Sequence, residues 1–345
     1  MSHIPQDVQA EIFSRLPVKS LLRFSAVSKS LRALIDSPSF AKLHLNNAEK
    51  SSKILTFLGD FDPPNSIYCL RFDSDTTVAE LETPFDSIGP FHNILGSCNG
   101  LLCLSRGASD RDILLWSPLT KKYKLINAPI RYPSGLNTFI IDRIGYDHVN
   151  DDYKLIRLKR CSRSDLKSVK SKQRGHGVSR HGQMSHGVYI SGAIHWVVTQ
   201  NPPPDLDYLI VAFDVSGETF EMVPQPEYYN KYVAIDLGML DECLCVIGNY
   251  AMYRVDVWVM MKYGVKESWK KLVAVNMFDA KMNVWPNVRP IIYLKDGKQV
   301  LLEVDNEWFV RYDLEKKKSK VTSRTKLYNV SNMSTFVCQE TLTLV

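Results

Sequence analysis

The chain has 345 residues, of which 45% are hydrophobic, 10% aromatic and 23% charged, and it carries a net charge of +6. That apolar content suffices for buried cores in about two domains, and no apolar run approaches the ~18 residues that a membrane-spanning helix needs. No positively flanked apolar segment marks a signal peptide, and the seven cysteines (69, 98, 103, 161, 243, 245 and 338) form no CxxC pair, so the expected setting is a reduced one, cytoplasm and/or nucleus.

The first 46 residues have helical texture. Pro5 suits a first helical turn, where its missing N–H is not needed, and Val8, Ile12 and Leu16 recur at fourfold spacing on one face. Pro17 disfavours helical geometry at the residue before it and ends that helix. A second short helix is predicted through Ser20–Ala26. Ser28 caps a third that carries Leu31, Leu34 and Ile35, with Pro38 just past its end. Three helices this short bury too little to be stable alone. Met1–Leu45 holds no cysteine, so the leftover apolar face must be covered by another protein, or else by the chain's own body as a folded-back cap.

From residue 50 to residue 345 the helical spacing gives way to short β-branched and aromatic runs between Gly, Pro, Asn and Asp turns, an all-β texture. A loose repeat runs through it. Units begin near Cys98-Asn99-Gly100, Gly145-Tyr146-Asp147, Ile190-Ser191-Gly192 and Leu294-Lys295-Asp296-Gly297, with weaker ones at Ile54–Pro84 and Ile235–Val275. Repeats of ~40–50 residues with four strands each mark a β-propeller, expected here with about six blades. The alternative is a large β-sandwich whose hairpins only look periodic.

The charge is unevenly placed. Residues 159–181 hold eight lysines and arginines against Asp165 alone, a balance of +7 that leaves the rest of the chain at −1. The stretch 159–186 has few sizeable apolar residues (Leu166, Val169, Val178, Met184) and reads as a basic, mobile loop that contacts solvent, with nucleic acid not expected as a partner. His176, His181 and His186 step by five residues with no cysteine or carboxylate at ligand spacing, so no metal is expected. Catalytic motifs are also absent: no GxxxxGK[ST] loop, no GxSxG elbow, no HExxH helix. The aspartate pairs 60/62, 73/75 and 205/207 sit in turn-rich stretches where Asp serves backbone geometry. His195 reads as a packed strand residue rather than a general base. The expectation is no catalytic residue, no cofactor and no enzyme activity.

Ile4-Pro5-Gln6-Asp7-Val8, Arg15-Leu16-Pro17-Val18-Lys19-Ser20-Leu21-Leu22-Arg23-Phe24 and Val27-Ser28-Lys29-Ser30-Leu31-Arg32 together resemble an F-box. Cys98–Cys103, Trp116–Thr120, Gly145–Lys154, Gly192–Trp196, Phe213–Phe220 and Asp256–Trp269 are similar, in order, to motifs of the plant F-box-associated domain. The resemblance implies a substrate receptor of a cullin-RING ubiquitin ligase: F-box in residues 1–46, propeller in 50–345. It implies a Skp-type adaptor and cullin scaffold as partners and a target protein on the propeller loops. Carried over position by position, the adaptor face would be Ile4, Pro5, Val8, Ile12, Leu16, Pro17, Val18, Leu21, Val27 and Leu31. Leu31 stands where the family pattern has tryptophan. The alternative that this leaves open is an interaction protein outside ubiquitin transfer, its propeller holding a partner or glycan and its altered F-box docking weakly or not at all.

Overall fold

The computed structural model describes residues 4–47, 53–58, 67–71, 77–84, 88–89, 93–105, 112–127, 139–160, 187–199, 208–228, 234–250, 254–276, 287–294, 297–305, 308–324 and 334–343. They fall in two compact units, Met1–Tyr132 with Asn332–Val345, and Pro133–Ser331.

The first unit opens with α1 (Gln6–Phe13), α2 (Val18–Ser25), α3 (Lys29–Ile35) and α4 (Pro38–Asn47). Four helices thus replace the three expected. Pro38 does not follow a last helix but begins another, because a proline ring is already set for the first helical position. Ser37 caps it, its Oγ accepting from the Phe40 N–H at 3.3 Å, as Ser28 caps α3 by accepting from the Leu31 N–H at 3.2 Å. Pro17 sits just before α2, and Leu16 lies in the turn after α1 rather than on its face.

Strands β1 (Lys53–Leu58), β2 (Ile67–Arg71) and β3 (Thr77–Glu80) pair in sequence, and β4 (Asn93–Cys98), β5 (Leu101–Ser105), β6 (Asp112–Trp116) and β7 (Tyr123–Asn127) form the next sheet. In the second unit, β8 (Phe139–Asp147) pairs β9 (Asp152–Arg160). Then come β10 (Val188–Ile190), β11 (Ala193–Thr199), β12 (Tyr208–Asp214) and β13 (Phe220–Val223), followed by β14 (Ala234–Leu240), β15 (Cys243–Tyr250), β16 (Arg254–Met260) and β17 (Trp269–Asn276). The last of that unit are β18 (Val288–Tyr293), β19 (Gln299–Val304), β20 (Trp308–Asp313) and β21 (Lys318–Arg324). Finally β22 (Ser334–Gln339) returns to the first unit and pairs antiparallel with β1, Leu55 opposite Val337. The described residues therefore make five four-stranded sheets and one of two strands, which corrects the expected six full blades. Beyond Lys159 and Arg160 at the end of β9, the basic segment lies outside the described residues, as do His176, His181, His186 and the aspartate pairs.

Tight hairpins explain why the repeats are audible in the sequence. Asn99 and Gly100, Ser191 and Gly192, and Asp241 and Glu242 all have positive φ, between strand residues that pair directly (Cys98 with Leu101, Ile190 with Ala193, Leu240 with Cys243). Two-residue turns of that hand match strand twist, and Asn, Asp and Gly tolerate them best. A second constraint applies at Gly100: a Cβ there would come within 2.6 Å of the Gln339 carbonyl oxygen.

That close approach marks where the C-terminal tail is clamped. The Thr341 hydroxyl donates to the Asn99 carbonyl at 2.7 Å, Thr343 donates to the same oxygen, and the Cys338 thiol donates to the Gly100 carbonyl at 3.3 Å. Leu342 then enters the core of the helices, among Val18, Leu21, Ile35 and Phe40, with Leu119 of the β6–β7 turn packed against them. Lys122 pairs with Asp36 at 3.1 Å beside it. The helical head is thus folded onto its own body, and the expectation that its core needs another protein is corrected.

In the second unit Asp147, at the end of β8, is fully buried and bound by Asn150, Ser216 and Lys154, whose ammonium lies 3.0 Å away. Those hydrogen bonds, that from Asn150 foremost, hold its carboxyl far below the usual carboxylate range. Lys154 also reaches the Val215 carbonyl and Glu218, so the Gly145–Lys154 motif fastens one hairpin to the β12–β13 turn.

Leu342→Ala leaves a cavity under the head and costs about 2–5 kcal/mol of its stability. Amide exchange in α2 and α4 should quicken at least tenfold while β14–β17 is unchanged; equal exchange in both proteins would show that the tail does not hold the head.

Candidate functional site: an apolar face on the helical head

The helices divide their apolar residues between two sides. Val18 and Leu21, one turn apart on α2, are 1% and 0% exposed and fill the head core. Val18 and Leu21, expected on the adaptor face, are thus buried in the head's own core in this structure. Leu16 is half-buried against the same core, and Leu31 is half-buried at the start of α3. By contrast Ile12 is 50% exposed and Val27 73% exposed, and Ile4, Pro5, Val8 and Pro17 are exposed with them.

One residue absent from the sequence-based set joins this group. Phe24 is exposed near the end of α2, and its ring stacks on Phe13 of α1 at 5.7 Å with 24° between planes. The stack links the α1 and α2 parts of the surface. No single helical face announces it, since Phe24 lies on α2, Val27 in the break after it and Leu31 on α3. Of the twelve exposed large apolar side chains among the described residues, five (Ile4, Val8, Ile12, Phe24 and Val27) belong to the first 27 residues. Contiguous exposed apolar side chains mark interaction sites, whereas scattered ones need no explanation. Polar residues flank them, with Arg15 paired to Glu11 at 2.7 Å and Arg32 to Asp36 at 3.6 Å.

Behind the face lies His44 of α4, buried, with its Nε2 donating to the Leu16 carbonyl at 3.0 Å. Burial lowers its pKa, more than the carbonyl raises it. On the body, His195 is equally buried, donates from Nδ1 to the Val188 carbonyl at 3.1 Å and accepts at Nε2 from the Tyr263 hydroxyl at 2.7 Å. It is a structural pin between β11 and the β16–β17 turn. Among the described residues no group of three or more His, Cys, Asp or Glu could hold a metal ion, and no helix is long and apolar enough to cross a membrane. The Cys338 thiol is pushed up to about 12 by burial, which leaves it protonated.

A helical head with exposed apolar side chains, followed in sequence by a series of antiparallel β-sheets, is the make-up of a substrate-adaptor type of protein. Comparison with known proteins gives that class its family. Residues 1–43 match the F-box domain and residues 75–340 the F-box associated beta propeller domain. The chain is 34% identical to F-box protein CPR1 of Arabidopsis thaliana over 92% of its own length and 84% of that protein's. It is 27% identical to F-box/kelch-repeat protein At3g23880 of the same plant, covering 87% and 85%. Among solved structures, the RRP9 WD40 repeats align over 79% of this chain and 81% of that one, at 10% identity and a TM-score of 0.36. The chain belongs to the F-box proteins that carry an F-box-associated β-propeller domain.

The histidines set a pH dependence with a definite sign. A lowered folded pKa means that the unfolded chain binds more protons below about pH 6.5, so stability falls as pH drops through that region. The melting temperature should decline between pH 7.5 and 5.5, and His44→Gln, which keeps a donor to Leu16, should decline less, His195 supplying the remainder. An identical slope in the variant would exclude His44 as a contributor.

Proposed function

We propose that this chain is the target-recognition subunit of a cullin-RING ubiquitin ligase, docking a Skp-type adaptor through the exposed face of its head and holding a target protein on its body. The observation that carries the reading is the division within the head. Its core is already complete with Leu342 inside it, yet Ile4, Val8, Ile12, Phe24 and Val27 remain exposed on the other side. A core that is closed has no use for those residues, so their burial is left to a partner. The family membership supplies the kind of partner.

The mechanism is proximity and requires no catalytic group. A target held near the ligase's charged conjugating enzyme presents its lysines at high effective concentration, which lifts the transfer rate without new chemistry. Because the head is packed on the same unit as the first two sheets, by Leu342, Leu119 and the Lys122–Asp36 pair, it cannot swing freely relative to them.

Half-buried Leu31 contributes less surface than the tryptophan of the family pattern, so docking is expected to rest on α1, Phe24 and Val27. Ile12→Asp places a carboxylate in the contact at several kcal/mol, enough to dissociate a micromolar complex. Pull-down of a recombinant Skp-type adaptor should be lost in Ile12→Asp and in Val27→Asp, with the melting temperature held within about 2 °C of wild type since both sites are exposed. Leu21→Asp should instead unfold the head. Wild-type levels of adaptor on both surface variants would overturn the assignment of this face, and no adaptor on the wild type would favour a protein outside ubiquitin transfer.

A further inference from the structure

Five strands each lie at one end of a four-stranded sheet: β3, β7, β13, β17 and β21. An edge strand offers unpaired N–H and C=O groups to any extended chain, and lysines along the edge are a common defence against that. Lys124 lies in β7, Lys270 and Lys271 in β17, and Lys318 and Lys320 in β21. β13 is different. It reads Phe220-Glu221-Met222-Val223, with the first three exposed and Met222 66% so.

Its surroundings are acidic in a chain that is basic overall. Residues 208–228, all described, hold Asp214, Glu218, Glu221 and Glu227 and no lysine or arginine. Two of these acids are ion-paired, Glu218 with Lys154 and Glu227 with Lys266, and Asp214 accepts at Oδ1 from the Ser216 and Gly217 N–H groups at 2.8 and 2.9 Å, its charge kept. More apolar surface lies alongside, on the β16–β17 turn. That turn is tied to β11 by Tyr263 to His195, and the residues around it to the segment after β13 by Lys266 to Glu227 and by the Trp269 indole N–H to the Pro224 carbonyl at 2.9 Å. Met261 and Tyr263 on it are both exposed. The result is a strand edge with no further strand paired to it among the described residues, bearing apolar side chains and set in an acidic stretch of chain.

We infer that β13 is where the body takes its target, by adding to the sheet an extended target segment in which lysine or arginine alternates with apolar residues. The strand edge supplies direction and main-chain hydrogen bonds, Phe220, Met222 and Tyr263 receive the apolar side chains, and Glu221 and Asp214 receive the cationic ones. Alternation is required because neighbouring residues of a strand face opposite ways. A segment of that composition also brings lysines to the ligase. The inference rests on the target-binding role proposed for the body and names the strip of surface that performs it.

The test uses the full chain with its adaptor and a defined probe, a fluorescent ten-residue peptide of alternating lysine and valine, beside its glutamate–valine counterpart. The lysine peptide should bind, slow amide exchange in β13 and weaken as salt rises. Glu221→Lys with Met222→Ser should lower its affinity at least tenfold, while Tyr123→Ser on β7 leaves it unchanged. Equal binding of both peptides, an unaffected double variant, or slowing at another strand would overturn the assignment. So would β13 amides already slow in the free chain, the sign that the chain's own basic residues 159–181 or a second copy sits there. Adaptor pull-down on the same double variant separates the two ideas. Its presence with failed peptide binding refutes only the β13 assignment, and its absence from the wild type as well refutes the ligase role.

Discussion

The antiparallel pairing of β22 with β1 is the constraint on which the first unit depends. It supplies the fourth strand of the first sheet from residues 334–339, and the same segment runs on past Asn99 and Gly100 to put Leu342 among the helices. One stretch of backbone therefore completes a sheet and a helical core together. The clamp is chemically economical: one carbonyl, that of Asn99, accepts from two threonine hydroxyls, and a glycine leaves the room for the passing chain. A side chain at Gly100 would collide with backbone, which cannot move aside as a flexible side chain can.

The head and the body expose apolar residues for different reasons. In the head they are the side of helices not needed for a closed core, so the surface is convex and presented by rigid elements. On β13 they are the last strand of a sheet, where backbone groups are free as well. The first suits a partner that brings a complementary groove, and the second suits one that arrives without structure of its own. In the second unit the ionic group of buried Asp147, Lys154 and exposed Glu218 fastens the β12–β13 turn to the β8–β9 hairpin.

Much of this was legible in the sequence because local rules acted locally. The two-residue turns at Asn99-Gly100 and Ser191-Gly192 announced hairpins, and the cap at Ser28 fell where read, whereas α1 ends at Phe13, short of Pro17. Pro38 misled because proline both follows and begins helices, and only the Ser37 cap decides which. Val18 and Leu21 misled for a deeper reason. Periodicity says that residues share a face, and cannot say whether that face meets the chain's own tail or another protein. The answer lay in Leu342, more than three hundred residues away in sequence and with no local signal tying it to the head. Phe24 was missed because its exposure depends on how α1 and α2 stack.

The pairing of Leu55 with Val337 has a consequence for how the protein is made. At roughly 5–20 residues per second, a ribosome needs on the order of a quarter of a minute to a minute to supply the partner of a strand it has already released. During that interval β1 has one neighbour where it needs two, and the helical core waits with the place of Leu342 empty. Nascent chains of this protein should therefore be clients of chaperones that shield exposed strands, and their release should be timed by the emergence of residues 334–343 rather than by the folding of the sheets in between.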